Sequence, residues 1–404
     1  MDKDVTIMGL GYIGLPTAAL LACKGYNVKG FDIKDDVITT INQGKIHIVE
    51  PHLDKYVKKA IELKKLQAYK SPQKADIYII CVPTPFYSDT KPPSPNIELV
   101  LSAAKEISKL LKPNDTVILE STSPVGTTEK IADLFISEGI DIDQINLAYC
   151  PERVLPGNIM KELIENDRII GGYSLTSSKV VSKFYETFVS GNVFQTDHKT
   201  AEMCKLTENS FRDVNIAFAN ELSILCDKEG IDVWKLISLA NMHPRVDILQ
   251  PGTGVGGHCI AVDPWFIVSK DPVNSTIIKS AREVNNKKTD WVIDKIKSSI
   301  KNFTNKTKKV PKIACLGLAF KPNIDDLRES PAIHVIKKLY DNGLNPILVE
   351  PNIETHEMYK LSSLEQACID SDIIFILVKH DEFRSLDKLT LNVVDFCGAL
   401  ENNF

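Results

Sequence analysis

The segment Gly9-Leu-Gly-Tyr-Ile-Gly14 admits few folds, because it follows the short apolar run Val5 to Met8 and precedes a helix-prone stretch that begins at Pro16. Three glycines at this spacing between a strand and a helix make the turn of a βαβ nucleotide-binding unit. The first permits the tight turn, the second lets a pyrophosphate approach the backbone, and the third lets the helix pack on the strand. Phosphate oxygens then lie at the positive end of the helix. A strand is expected over 5–8, a helix over 16–24 and a second strand over 28–32. Asp32 closes that second strand, where a carboxylate accepts both ribose hydroxyls of NAD and repels the 2′-phosphate of NADP. Lys34, close by, weakens this preference slightly. The cofactor set on this loop is Gly9, Gly11, Tyr12, Ile13, Gly14, Asp32 and Lys34.

Further strands are expected over 77–82 and 116–120. Each ends in a polar loop, Pro83-Thr84-Pro85 and Ser121-Thr122-Ser-Pro-Val-Gly126. Ligands of open α/β sheets sit at the carboxyl ends of strands, so Pro83, Thr84 and Thr122 join the cofactor set. Residues 86–96 read equally as a mobile flap or as a plain surface loop.

Beyond Thr196 the pattern turns to almost continuous helix. Residues 200–228 contain neither proline nor glycine and predict one helix of about 40 Å, a domain linker and candidate dimer surface. Lys205, Asn209 and Arg212 share one face of it. The alternative reading of Glu202, Lys205, Glu208 and Arg212 is a solvated charged face. After Asn302 the α/β pattern restarts, with strands over 312–316 and 346–350 and a helix start at Ser330-Pro331. Residues 371–378 echo 75–82. The expected architecture is α/β: two Rossmann-like doubly wound parallel-sheet domains, residues 1–196 and 302–404, joined by a central helical domain, 197–301. The second sheet lacks the full glycine fingerprint and reads as a holder for a second nucleotide.

The net charge of −5 comes with no basic run able to track a phosphate backbone, which argues against a nucleic-acid partner. No apolar stretch is long enough to span a membrane. The N-terminus opens directly on a strand and lacks the succession of a signal peptide. Nine scattered cysteines without a CxxC pair read as reduced thiols, so neither a zinc site nor disulfides are expected, and the location is cytoplasmic.

The chemistry centres on Gly252-Thr-Gly-Val-Gly-Gly-His-Cys259, with Asp263-Pro264 following. A thiol on a tight, irregular backbone near a cation can be deprotonated and nucleophilic at neutral pH. His258 reads either as a base or as a structural hydrogen-bonding group. The competing reading of Cys259 is a buried, inert thiol, as assumed for Cys23, Cys81, Cys204, Cys226 and Cys315.

Over nearly its full length the chain resembles the UDP-glucose and UDP-N-acetylmannosamine dehydrogenase family. The resemblance rests on Gly-Leu-Gly-Tyr-Ile-Gly-Leu-Pro16, Ser121 to Gly126, Tyr149-Cys-Pro-Glu-Arg153, Ala201 to Asn209, Gly256-Gly-His-Cys259 with Asp263-Pro264, and Phe320-Lys321 with Asp326-Leu-Arg-Glu-Ser330. It implies four-electron oxidation of the C6 alcohol of a UDP-sugar with two NAD, through a cysteine thiohemiacetal and thioester. It makes Cys259 the nucleophile, Lys205 and Asn209 the oxyanion stabilisers, and Asp263, Thr122 and Glu152 members of a water and proton network. Substrate contacts would come from Glu152, Arg153, Lys205, Asn209, Arg212, Gly256, His258, Lys321 and Arg328, with UDP on the C-terminal unit. Arg245 matches an arginine that reaches the substrate from a neighbouring subunit, which implies a homodimer or larger homo-oligomer; the alternative is a surface salt bridge.

Val262 stands where the UDP-glucose branch carries lysine. Together with His258-Cys-Ile-Ala-Val-Asp-Pro-Trp265 it is similar to the branch acting on N-acetylated sugars, chiefly UDP-N-acetyl-D-mannosamine, with UDP-N-acetylglucosamine and then UDP-glucose as alternatives. A two-electron β-hydroxyacid dehydrogenase would need neither Cys259 nor a second nucleotide unit. A nucleotide-sugar sensor would not need the chemical residues. Thr253, often proline in this branch, carries little weight.

Overall fold

The computed structural model describes residues 3–87, 89–257, 259–386 and 391–400. They form two compact units, Met1–Thr207 and Glu208–Phe404.

The first unit is built on β1 (Asp4–Met8), α1 (Gly14–Cys23), β2 (Asn27–Phe31), α2 (Asp35–Asn42), α3 (Leu53–Glu62), β3 (Leu66–Tyr69), β4 (Ile77–Ile80), the short strands β5 (Phe86–Tyr87) and β6 (Ser94–Pro95), α4 (Glu98–Ser108), β7 (Thr116–Leu119), α5 (Thr127–Ser137), β8 (Asn146–Tyr149), α6 (Ile159–Glu165), β9 (Arg168–Gly172), α7 (Leu175–Tyr185) and β10 (Val193–Asp197). Its eight-stranded sheet has the order β10-β9-β8-β7-β4-β1-β2-β3. From β3 to β8 every pairing is parallel, and the order reverses between β1 and β4. A crevice forms at such a reversal, which is why ligands collect there. β9 joins β8 antiparallel, so β9 and β10 extend the sheet in the opposite sense. All four residues of β4 and of β7 are buried, as suits strands covered on both faces. One core packs α1, α3, α6 and α7 on one face, and a second packs α4 and α5 on the other. Within the 86–96 segment β5 and β6 pair antiparallel, with Phe86 opposite Pro95.

The helix α8 (His198–Glu229) has 32 residues, and the boundary between the units falls inside it. In the second unit follow α9 (Val233–Ala240), α10 (Asp263–Lys270), the 32-residue α11 (Thr276–Thr307), β11 (Ile313–Leu316), α12 (Pro331–Asp341), β12 (Ile347–Val349), α13 (Leu364–Asp370), β13 (Ile373–Ile376) and β14 (Val393–Asp395). The helical stretch is interrupted between α9 and α10, where two prolines and four glycines replace helix formers. A parallel sheet of order β12-β11-β13-β14 repeats half of the larger sheet's plan.

The repeat extends to individual bonds. Gly9, at φ 93°, donates to Phe31 O, and Gly317, at φ 89°, donates to Val349 O, each at 2.8 Å. Asp32 accepts from Leu10 N, and Glu350 accepts from Leu318 N. The helix α12 starts as expected: Ser330 caps Ile333 N and Pro331 takes the first helical position.

Candidate active site

In the first unit the fingerprint loop has the shape its glycines predict. A Cβ on Gly14 would stand 1.8 Å from Gly9 O, and one on Gly9 would meet Cys81 O at 3.0 Å, whereas Gly11 faces open space. Two glycines are thus required by packing, and the middle one leaves room for a ligand. The helix α1 begins at Gly14, two residues earlier than expected, and no side chain caps it. Ile13 is the N-cap and Tyr12 packs on the core beside it. Asp32 is half-buried: Oδ2 accepts from Leu10 N at 3.1 Å and Oδ1 from Lys34 N at 3.0 Å, so the acid is fixed to the loop. Lys34 is exposed and its side chain caps nothing at the start of α2. An open glycine, an uncapped helix start and a carboxylate beside them fit a dinucleotide.

The loops after β4 and β7 are tied together. Thr84 Oγ1 donates to Thr122 O at 2.6 Å and Ser121 Oγ to Val82 O at 2.7 Å, with Pro83 exposed between. Glu202 is fully buried, against the solvated-face reading: it accepts from Gly126 N, Thr128 N and Thr128 Oγ1, pinning α8 to the start of α5. Lys205, one turn further along α8, is half-buried and Arg212 is exposed.

Glu152 is buried in an ion pair. Its Oε2 accepts from Arg168 Nη1 at 2.7 Å, and its Oε1 accepts from Arg153 N. Arg153 Nη1 donates to Asp167 O at 3.3 Å. Behind this pair lies a second buried acid, Glu120, which takes the Tyr185 hydroxyl at 2.5 Å and the Cys81 thiol at 3.3 Å. Burial, then the neighbouring Glu152, push the Glu120 carboxyl up to about 7, against the pull of Arg168. Glu120, Arg168 and Tyr185 were missed from sequence. Their legible sign is a charged residue at the end of an apolar strand, Thr-Val-Ile-Leu-Glu120 and Arg168-Ile-Ile.

In the second unit, Cys259 is exposed, unlike Cys226 and Cys315, which are buried; Cys23, Cys81 and Cys204 are partly buried rather than fully so. The Cys259 carbonyl accepts from Val262 N at 3.0 Å and Asp263 N at 2.8 Å, which sets the thiol on a tight turn just before α10. Asp263 is buried as the first residue of α10, and its Oδ2 accepts from Asn209 Nδ2 at 2.5 Å. Asn209 and Asp263, predicted from separate motifs, are therefore in direct contact.

The glycine segment before Cys259 is fastened at several points. Gly252 N donates to Asn220 Oδ1, Thr253 Oγ1 donates to Leu377 O at 2.5 Å, and Thr289 Oγ1 donates to Thr253 O. Thr253 is thus a structural anchor and not an incidental departure. Asn220 belongs to a buried network in which Asn285 and Arg282 both donate to Asp213. His258 lies outside the described residues.

Lys321 is half-buried in the loop after β11, and the exposed Arg328 donates to both oxygens of Asp326, with Nη2 to Oδ2 at 2.5 Å. Arg245 is exposed on the loop after α9, which Asn241 closes by two bonds to Ile248. At the end of β12, Glu350 is saturated by Leu318 N, Ala319 N, Asn352 N and His380 Nε2. Burial would push it up, but the bonds from His380 and Leu318 N outweigh that and hold it at about 2. The oxygens of this counterpart of Asp32 are thus committed to the protein itself.

Among the described residues no helix is long and apolar enough to cross a membrane. Three family models match in succession, all of the UDP-glucose/GDP-mannose dehydrogenase family: the NAD binding domain over residues 3–189, the central domain over 199–287 and the UDP binding domain over 314–399. The UDP-N-acetyl-D-mannosamine dehydrogenase of Campylobacter jejuni is 52% identical, covering 98% of this chain and 99% of its own. An NDP-N-acetyl-D-galactosaminuronic acid dehydrogenase of Ralstonia solanacearum is 50% identical, with 95% and 92% covered. The solved UDP-D-ManNAc dehydrogenase from Pyrococcus horikoshii superposes with a TM-score of 0.90 at 37% identity, covering 99% of this chain and 96% of its own.

Proposed function

This chain belongs to the UDP-glucose/GDP-mannose dehydrogenase family, and from that premise we propose that it oxidises the C6 alcohol of UDP-N-acetyl-D-mannosamine to the carboxylate with two NAD. The observation that carries the reading is the exposed Cys259 on a turn shared with the buried Asp263, itself bonded to Asn209.

Gly9, Gly11, Gly14 and Asp32 hold NAD, which when bound supplies the hydride acceptor for both oxidations. Lys205 and the Asn209 amide stabilise the oxyanion that develops at C6. The first oxidation leaves an aldehyde. The Cys259 thiolate adds to its carbon, the carbonyl oxygen takes a proton, and a thiohemiacetal forms; loss of the second hydride to the second NAD and of the hydroxyl proton to water makes a thioester. Asp263 orients the water that adds to the thioester, and the Cys259 sulfur leaves as thiolate. The start of α10 favours that anion. Lys321 and Arg328 stand on the loop assigned to UDP. The thiolate needs a reducing compartment, which supports a cytoplasmic location.

The sugar is tested by NADH formed per molecule of UDP-N-acetyl-D-mannosamine, UDP-N-acetylglucosamine, UDP-N-acetylgalactosamine and UDP-glucose, each run to completion. Two NADH from the mannosamine sugar, and far slower turnover of the rest, are expected. Preference for the galactosamine sugar would move this chain to the specificity named for the Ralstonia relative, and one NADH would remove the thioester route.

A dimer is part of the reading. Phe211, Phe218 and Leu225 recur every seventh residue along α8 and are 71%, 54% and 53% exposed, a stripe suited to a second copy. Arg245 would then serve the partner's substrate. Light scattering is expected to give twice the chain mass, with Phe218→Asp monomeric; a monomeric wild type sinks this part.

A further inference from the structure

The segment that carries the thiol has almost no side chains of its own with which to hold its position. Gly252 and Thr253 are fastened elsewhere, and the restraint nearest the thiol comes from the loop that follows β11. A Cβ on Gly257, at φ 82°, would meet the Phe320 ring at 2.9 Å, and one on Gly256 would stand 2.4 Å from Glu329 O and 2.6 Å from Pro331 Cδ. Gly257 N donates to Arg328 O at 3.2 Å. The backbone at Gly256 and Gly257 thus lies against one aromatic ring and two carbonyls of the 317–331 loop.

That loop is itself fixed at its two ends. Leu318 N and Ala319 N bond Glu350, Ser330 Oγ donates to Leu318 O, and Asn323 N donates to His380 Nδ1. Phe320 N donates to Asp326 O at 3.1 Å, which closes a small turn containing Lys321. Phe320 therefore has the thiol segment against its ring and the cationic Lys321 as its backbone neighbour. A diphosphate engaged by Lys321 restrains the same short turn that carries the ring.

We propose that Phe320 is a positioning residue for Cys259, through which a nucleoside diphosphate on the 317–331 loop orders the thiol before any sugar reaches it. The inference rests on the reading above that this loop binds the UDP end of the substrate. Its consequence is that the thiol of the empty enzyme samples more orientations than that of the nucleotide complex. The glycines at 256 and 257 are required by this contact, since any side chain there displaces the ring or the loop.

UDP alone separates ordering from shielding, because it lacks the sugar that would cover the thiol. The experiment measures the rate of Cys259 alkylation by iodoacetamide, read by peptide mass, with and without saturating UDP, and UDP binding by calorimetry. In the wild type UDP is expected to slow alkylation by about threefold or more. Phe320→Leu should bind UDP, lose that response, and lower kcat with little change in KM; Phe320→Tyr, which keeps the ring, should restore both. UDP binding without a change in alkylation overturns the inference and leaves the nucleotide reading intact, as does a Phe320→Leu enzyme that responds like wild type. Failure of UDP to bind overturns both.

Discussion

Replacing Cys259 by alanine is expected to cut formation of the carboxylate by on the order of a thousand-fold or more and to change the NADH stoichiometry from two per sugar to one. The two oxidations differ in what they require of the protein. The first removes hydride from an alcohol carbon that is already tetrahedral, and it asks of Lys205 and Asn209 only that they stabilise the developing oxyanion. The second starts from a planar aldehyde, which has no tetrahedral carbon from which hydride can leave until a nucleophile adds. Cys259 is exposed, on a turn just before α10 that two backbone bonds to its carbonyl close. Its removal blocks the second step and leaves the first. A single turnover by Cys259→Ala should release one NADH and an aldehyde that a hydrazine traps, while NAD binding is unchanged because its residues lie in other loops. If the variant still makes two NADH per sugar at a normal rate, the thioester route is wrong.

The fold was legible because its determinants are local and periodic. Gly9, Gly11 and Gly14 between an apolar strand and a helix dictate a turn whatever else the chain contains, and the structure makes two of them sterically obligatory. The long helix α8 was legible from the absence of breakers. The antiparallel step from β8 to β9 was not, because strand direction depends on how the connection runs and not on the composition of Arg168–Gly172. Among site residues, Asn209 and Asp263 carried their signal in separate motifs and met in space. Glu202 misled, since a carboxylate at helical spacing among other charges looks solvated; only the amides of Gly126 and Thr128, far away in sequence, explain its burial. Partners of buried charges are long-range by nature, and a single sequence does not display them. Thr253 illustrates the same point, because its hydroxyl bonds a carbonyl of Leu377 that no local pattern announces.

Arg168→Met is expected to lower the stability of the first unit by about 3–5 kcal/mol near neutral pH, and by less in mild acid. Arg168 and Glu152 are both buried and share a 2.7 Å contact, so loss of the guanidinium strands an anion away from water. Glu120, close enough to feel both, makes the loss depend on pH. Its folded carboxyl titrates at about 7 against an ordinary 4.5, so it favours folding fully below the lower value and that contribution fades as the pH rises through the upper one. A shift of this size corresponds to roughly 3 kcal/mol across the window. Without Arg168 the Glu120 carboxyl resists ionisation more strongly, and the variant should lose more at about pH 8 than at about pH 5, where a protonated Glu120 needs no cation. Glu120→Gln is the complementary variant: it keeps an acceptor for the Tyr185 hydroxyl and removes the titration, so its stability should vary less across that range than that of the wild type. Thermal unfolding of the three proteins at both pH values decides the matter. An equal loss for Arg168→Met at the two values would show that the arginine acts through packing alone, and a Glu120→Gln protein with the wild-type pH dependence would remove Glu120 as its source.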